Sequence, residues 1–327
     1  VLLRAGFSAG RLCDDGFFIS CLVTTMRVKE LYNSAVQRLT AVAIIDPQLE
    51  ARVLLGHTLR ISPVQLFLAA EQEVTSSQID QFEKLLERRL LREPIAYILG
   101  TCEFWSLTFR VTKDVLIPRP ETEFLLETVL QAVRQAGNEV LGPIADLGTG
   151  SGVIAIVLAR EMSEWPEIYG VDCSMAALRI AKVNADLHGV AGRVRFINAD
   201  LCTAFAANQQ FGLIVANPPY VEQDLFADSA FGSGNSLQPE VILHEPRLAL
   251  DGGRQGGEVM ARIAAALPAV LKPGGWFFME IGAGQADFVM ALFRARVCLE
   301  AMHVYHDYAG LPRVFQARRQ RVHSSRE

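Results

Sequence analysis

Asn217, Pro218, Pro219 and Tyr220 follow four strand-favouring residues in the stretch IVANPPYV. A strand that runs into a polar amide and two prolines has a bland reading: it stops at a rigid turn, because proline neither donates to a sheet ladder nor continues a helix freely. It also has a chemical reading. A planar amino nitrogen has a delocalised lone pair, and in an amide that resonance sets a rotation barrier of about 18–20 kcal/mol. A general base helps little, because the neutral nitrogen is barely acidic. Acceptors aimed at its two N–H groups do help, since they draw the protons and return electron density to nitrogen. Asn217 Oδ1 and the Pro218 carbonyl would form such a pair, and their bonds strengthen as nitrogen attacks an electrophile. Pro219 stiffens the turn, and Tyr220 offers a ring on which a flat amide or base can stack. The motif reads as an acceptor pair for a flat NH2 group.

The electrophile is read from DLGTGSG, Asp146 to Gly152. Gly148, Thr149, Gly150, Ser151 and Gly152 form a turn between a strand and a helix, where open α/β sheets bind ligands. Glycine there permits positive φ and close backbone approach, although such turns also serve as plain connections. Asp172 ends the next strand, twenty residues after Gly152, where a carboxylate accepts ribose hydroxyls. The spacing is G-x-G-x-G, not the G-x-G-x-x-G of dinucleotide sites, and no phosphate-loop lysine follows. S-adenosylmethionine, with adenosine and an amino-acid tail but no phosphate, fits better than NAD. Asp146 would orient the loop or, through water, the ammonium group. Asp200, in NADL, would meet the adenine amino group or cap a helix.

These residues need strands that end together. From Ile144 the pattern alternates strand and helix: PIADLG, GVIAIVLAREM, EIYGVD, SMAALRIAKVNADLHG, RVRFINADL, FGLIVANPP, then a helix from GGEVMARI and the strand GGWFFMEIG. Such alternation predicts an α/β, Rossmann-like, doubly wound and mostly parallel sheet. HVYHDYAGLPRVFQARR closes it with an antiparallel hairpin. Upstream, apolar residues recur at three- and four-residue spacing, as in SSQIDQFEKLLERRLLRE, which Pro94 is expected to end. Asp46 and Pro47 read as the N-cap and first residue of a helix. The expected domains are a helical one over 26–95, a connecting β-hairpin over 96–118, the catalytic domain over 119–320 and a tail over 321–327. Residues 1–25 read as an extension with little structure, or as an organellar presequence.

Composition narrows the rest. The 327 residues carry a net charge of −5, so no overall basic field recruits nucleic acid. No apolar run approaches the eighteen or so residues of a membrane span. Six cysteines without a C-x-x-C pair and six histidines without ligand spacing predict no metal and suit a reducing, cytoplasmic compartment. Nothing suggests more than a monomer.

Over about residues 27–320 the chain resembles the peptide-chain release-factor glutamine methyltransferases, the HemK or PrmC family. The resemblance rests on REPIAYILGTCEFWSLTFRV, VLIPRPETE, DLGTGSG, NPPY, PEVILHEPRLALDGG, LKPGG and DYAGLPRV. NPPY alone is shared with amino methyltransferases of adenine and other NH2 groups. LIPRPETE is more specific, since the ribosomal-protein glutamine branch continues differently after LIPR. The resemblance implies methylation of the side-chain nitrogen of the glutamine in the Gly-Gly-Gln loop of class 1 release factors. It also implies that the helical N-terminal domain docks the factor, that Gly148 to Gly152, Asp172 and Asn217 hold the methyl donor, and that Asn217, Pro218, Pro219 and Tyr220 hold the glutamine. Some relatives have Trp where this chain has Leu201, which puts an adenine-stacking ring there in doubt. Arg119 and Glu121 would wall the substrate pocket or cap the following helix. The rival readings are a ribosomal-protein glutamine or a nucleic-acid adenine or guanine amino group as the acceptor.

Overall fold

The segments Ile144–Leu147 and Phe211–Ala216 are buried at every residue in the computed structural model, which describes residues 26–137, 142–162, 167–207, 211–226 and 237–321. Strands apolar on both faces need cover on both faces, and helix layers around a parallel sheet supply it. The stretch 1–25, positions 227–236 of the Gly/Ser-rich insertion, and the tail from 322 lie outside the described residues. The chain divides into two compact units, Val1–Glu83 and Lys84–Glu327.

The first unit holds β1 (Met26–Arg27), α1 (Val28–Ala41), α2 (Pro47–Leu59), α3 (Pro63–Leu68) and β2 (Glu73–Val74). Buried Leu31, Ala35 and Leu39 of α1 and Ala51, Leu54 and Leu55 of α2 make its core. Asp46 caps α2 as expected, accepting the Leu49 N–H at 3.2 Å, with Pro47 as first helical residue. Ser62 and Gln65 form a reciprocal capping box on α3, a short helix that spacing alone did not reveal. The helix α4 (Ser76–Leu90) begins in the first unit and ends in the second, and it stops before the expected limit at Pro94, where Arg92 already has left-handed backbone (φ 69°).

The second unit continues with α5 (Ile95–Leu99), a helix inside the stretch expected to be only a hairpin. The hairpin itself is β3 (Thr101–Phe104) and β4 (Leu107–Arg110). Its two-residue turn puts both Trp105 and Ser106 at φ 54°, a conformation usually given to Asn-Gly. After α6 (Pro120–Ala136) come β5 (Ile144–Leu147), α7 (Val153–Glu161), β6 (Ile168–Asp172), α8 (Met175–Leu187), β7 (Val194–Asn198), β8 (Phe211–Ala216), α9 (Pro239–His244), α10 (Glu258–Val270), β9 (Leu271–Glu280), α11 (Ala286–Arg294), β10 (Leu299–His306) and β11 (Pro312–Arg319).

One seven-stranded sheet runs β10-β11-β9-β8-β5-β6-β7, parallel except for the terminal hairpin β10-β11. Alternation sorts the strand residues. Leu213 and Val215 face the cluster containing Leu125, Val129 and Ile154. Ile214 and Ala216 face the cluster containing Met260, Ile263 and Phe293. The chain leaves β5 toward β6 and returns to its other side as β8, so a crevice opens at the carboxyl ends of β5 and β8. Among the described residues no helix is long and apolar enough to cross a membrane.

Candidate active site

A cavity of about 370 Å³ occupies that crevice. Gly148 and Gly150 line it after β5, Asp172 at the end of β6, Asp200 and Leu201 after β7, and Asn217 and Pro219 after β8. Thr149 and Ser151 line it as well. An ideal Cβ built on Gly148 would lie 3.8 Å from the Asn217 carbonyl oxygen, so the glycine loop and the asparagine turn share one wall.

The glycine loop is held from below. The Val171 carbonyl accepts the N–H groups of Gly148 and Thr149 at 2.8 and 2.9 Å. Asp146 Oδ2 accepts the Thr149 hydroxyl at 2.6 Å and the Ala155 N–H at 3.1 Å, tying the loop to the first turn of α7. Gly152 has φ 85°, and a Cβ there would come within 3.0 Å of Ile156 and 3.2 Å of the Ala181 backbone. Only glycine allows α7 to pack this closely on α8. Asp146 is fully buried, and burial pushes its carboxyl up to about 7 against the pull of its two donors. Its Oδ1 has no partner among the described residues.

Asp172 is engaged at both oxygens. Oδ2 accepts the Gly150 N–H at 2.9 Å and Oδ1 accepts the Ser174 N–H at 2.8 Å. Each oxygen keeps a second lone pair for a ligand. Burial raises the Asp172 pKa and the two backbone donors oppose the rise. Asp200 stands at the cavity beside Leu201. It caps no helix, and its half-exposed carboxylate is ion-paired with Arg262, so adenine would meet a salt-bridged acid rather than a free one. Leu201 stands at the cavity with φ 51° and no ring to offer.

The asparagine turn is braced on several sides. Asn217 Nδ2 donates to Thr122 Oγ1 at 3.0 Å, the Thr122 hydroxyl donates to Glu280 Oε2 at 2.7 Å, and the Tyr220 hydroxyl donates to Glu280 Oε1 at 3.2 Å. Gln285 Nε2 donates to the Tyr220 carbonyl at 3.1 Å. The Val221 N–H reaches the Leu250 carbonyl at 2.9 Å. A Cβ on Gly252 would sit 2.8 Å from the Pro219 carbonyl, so the glycines of LDGG let a second backbone lie against the turn. Pro218 is buried. Tyr220 is not among the residues that line this cavity, and its hydroxyl, tied to buried Glu280, anchors the turn. Burial, then Glu280, pushes the Tyr220 hydroxyl well above its ordinary pKa.

Arg119 lines the cavity and pairs with Glu245, a buried carboxylate that also accepts the Ile117 N–H at 3.2 Å. Glu121 does not wall the cavity; it faces Arg313 at 3.8 Å. Neither caps α6, where Arg119 is the N-cap residue without a side-chain bond and Pro120 opens the helix. Sequence reasoning missed Thr122, Glu245 and Glu280. The one available signal for Glu280 was a carboxylate at the end of the apolar strand FFMEIG, a position that needs buried partners.

The chain matches the model of the PrmC N-terminal domain over residues 30–100 and that of the methyltransferase small domain over residues 120–232. It is 37% identical over 294 residues to the release factor glutamine methyltransferase of Koribacter versatilis, covering 90% of this chain and 99% of that one. The release factor glutamine methyltransferase of Coxiella burnetii is 40% identical over 294 residues with the same coverage. Among solved structures, the hMettl16 catalytic domain superposes with a TM-score of 0.50 at 14% identity, covering 71% of this chain and 81% of that one, which is a likeness of fold. Its glycine loop and NPPY turn meet at one crevice, and with matches to both family models and relatives of 37% and 40% identity over 90% of its length, this chain belongs to the release factor glutamine methyltransferase family.

Proposed function

We propose that the chain transfers a methyl group from S-adenosylmethionine to the side-chain amide nitrogen of the glutamine in the Gly-Gly-Gln loop of a class 1 release factor. The observation that carries this reading is the shared wall of the cavity. Gly148 and Asn217 adjoin, and Asn217 has its Nδ2 tied to Thr122 while no donor among the described residues occupies its Oδ1.

The cavity residues fit S-adenosylmethionine. The loop glycines leave room for close approach, and Asp172 has lone pairs left for ribose hydroxyls. Asp146 has an unpaired buried oxygen that an ammonium group could reach through water. When bound, S-adenosylmethionine supplies an electrophilic methyl on a sulfonium sulfur and leaves as S-adenosylhomocysteine.

The chain's own residues do the rest. Asn217 Oδ1 and the Pro218 carbonyl accept the two amide N–H groups of the glutamine and raise electron density on its nitrogen. Those bonds tighten as the nitrogen gains positive character, which favours the transition state over the ground state, and the methylated nitrogen then releases one of its two protons to water. Neither proline has an N–H to compete for the acceptors. Fixing the nucleophile against the donor supplies up to roughly 7–11 kcal/mol when alignment is ideal. Asp200, with Arg262, and Leu201 border the adenosine end, and Arg119 borders the glutamine end.

The first unit provides the docking surface for the factor. It leaves Val64, Phe67 and Leu68 of α3 exposed, and Phe67 lines a groove with Val28 and Tyr32. The testing experiment offers the chain and S-adenosylmethionine a purified class 1 release factor and a variant with the loop glutamine replaced. Methyl incorporation into the first alone supports the reading, and incorporation into neither overturns it.

A further inference from the structure

Glu280 is the last residue of β9, paired with Val314 of β11, and is fully buried. It does not line the cavity, yet it receives two hydroxyls that lead to the asparagine turn. An ionised carboxylate only accepts. Thr122 has one hydroxyl proton and gives it to Glu280, so toward Asn217 its oxygen has only lone pairs. That fixes the amide, because Nδ2–H meets a lone pair whereas a flipped amide would set oxygen against oxygen.

We infer that Glu280 and Thr122 are positioning residues that hold the Asn217 amide in the one orientation that turns its oxygen to the substrate nitrogen. The inference rests on the proposed function, in which Asn217 Oδ1 is the acceptor. Without a carboxylate at 280, Thr122 can rotate its proton toward Asn217, the amide can invert, and two N–H donors then confront the glutamine NH2.

The groups that face Glu280 are Thr122 and Glu121 of α6, Tyr220 of the turn and Arg313 of β11. Burial dominates and brings Glu280 to about 7; Glu121 adds to the rise, while Thr122, Tyr220 and Arg313 oppose it. Arg313 is itself held by Asp307 at 3.0 Å. The polarity of the relay therefore depends on pH near neutrality, with the productive orientation on the alkaline side.

The test compares the parent chain with T122V, T122S and E280Q. In ¹⁵N-asparagine-labelled protein, the Asn217 side-chain NH2 is protected from solvent exchange in the parent and in T122S. T122V loses that protection by about tenfold, the scale of one buried polar group left unpaired. Turnover on release factor falls by about tenfold in T122V and E280Q and recovers in T122S, while KM for the factor stays within about twofold. The parent's turnover drops as pH falls through about 7, and E280Q is slow and flat across that range. Unchanged exchange in T122V, T122S as slow as T122V, or an E280Q pH profile like the parent's overturns the inference. Failure of the parent to methylate release factor overturns the proposed function instead, and the exchange measurement still decides the relay.

Discussion

The Asp172 carboxylate holds the Gly150 N–H at 2.9 Å, so the acid that ends β6 is also the clasp of the glycine loop. In the proposed function an acid in this position does two things at once: it offers lone pairs to a ribose and it keeps the loop open for close approach. Asp172→Ala is therefore expected to raise the donor KM by about tenfold to a hundredfold, the scale of losing hydrogen bonds to a charged group. Asp172→Asn, which keeps one carbonyl oxygen, is expected to lie between the two. Steady-state kinetics with the donor varied checks this, and an unchanged KM in Asp172→Ala would place the ribose elsewhere.

Asn217→Ala removes the side-chain half of the acceptor pair but leaves the Pro218 carbonyl and the glycine loop. Donor affinity, measured by calorimetry, is expected to stay within about an order of magnitude. Turnover is expected to fall by about 10²–10³, as when one preorganised transition-state hydrogen bond is deleted. Turnover close to the parent's would remove Asn217 Oδ1 from the chemistry.

Asp146 makes stability depend on pH with a definite sign. Its carboxyl titrates at about 7 in the folded chain against an ordinary 3.8. Between those values the folded state holds a proton that the unfolded state has released. The contribution is thus fully present below pH 3.8 and is lost as pH rises through about 7. Glu280, at about 7 against 4.5, acts in the same direction. Asp146→Asn keeps an oxygen for Thr149 and Ala155 and does not titrate. Its urea-unfolding free energy is expected to fall less than the parent's between roughly pH 5 and roughly pH 8, by about 1–3 kcal/mol. Equal slopes would show that Asp146 is not titrating there.

Gly152→Ala tests whether the loop geometry is needed for packing. At φ 85° an alanine is strained, and its Cβ would press on Ile156 and on the Ala181 backbone. A loss of about 1–3 kcal/mol in unfolding free energy is expected, with weaker donor binding. Wild-type stability would mean that α7 and α8 can separate at little cost.

Much of this arrangement is legible in the sequence because it depends on local periodicity. The buried runs IADL and FGLIVA, the glycine turn and the strand-ending Asp172 and Asn217 place themselves once a parallel sheet is assumed. The Asp46–Pro47 start of α2 has a local cause and is equally readable. What stays hidden is contact between distant segments. Thr122, Asn217 and Glu280 come from a helix start, a turn and a strand end, and no spacing rule brings them together. The Asp200–Arg262 ion pair is hidden for the same reason, since the two residues lie 62 positions apart. The Trp105–Ser106 turn lacks the usual Asn-Gly signal, and Tyr220 gave no sign that a buried carboxylate would claim its hydroxyl.

The most direct measurement is tandem mass spectrometry of the acceptor after a mixed reaction. The chain is given S-adenosylmethionine together with purified release factor, its glutamine-replaced variant and duplex DNA. The account predicts one methyl on the side-chain nitrogen of the loop glutamine, none on the replaced factor and none on DNA. A methyl found on DNA alone, or on a release-factor residue other than that glutamine, would contradict it.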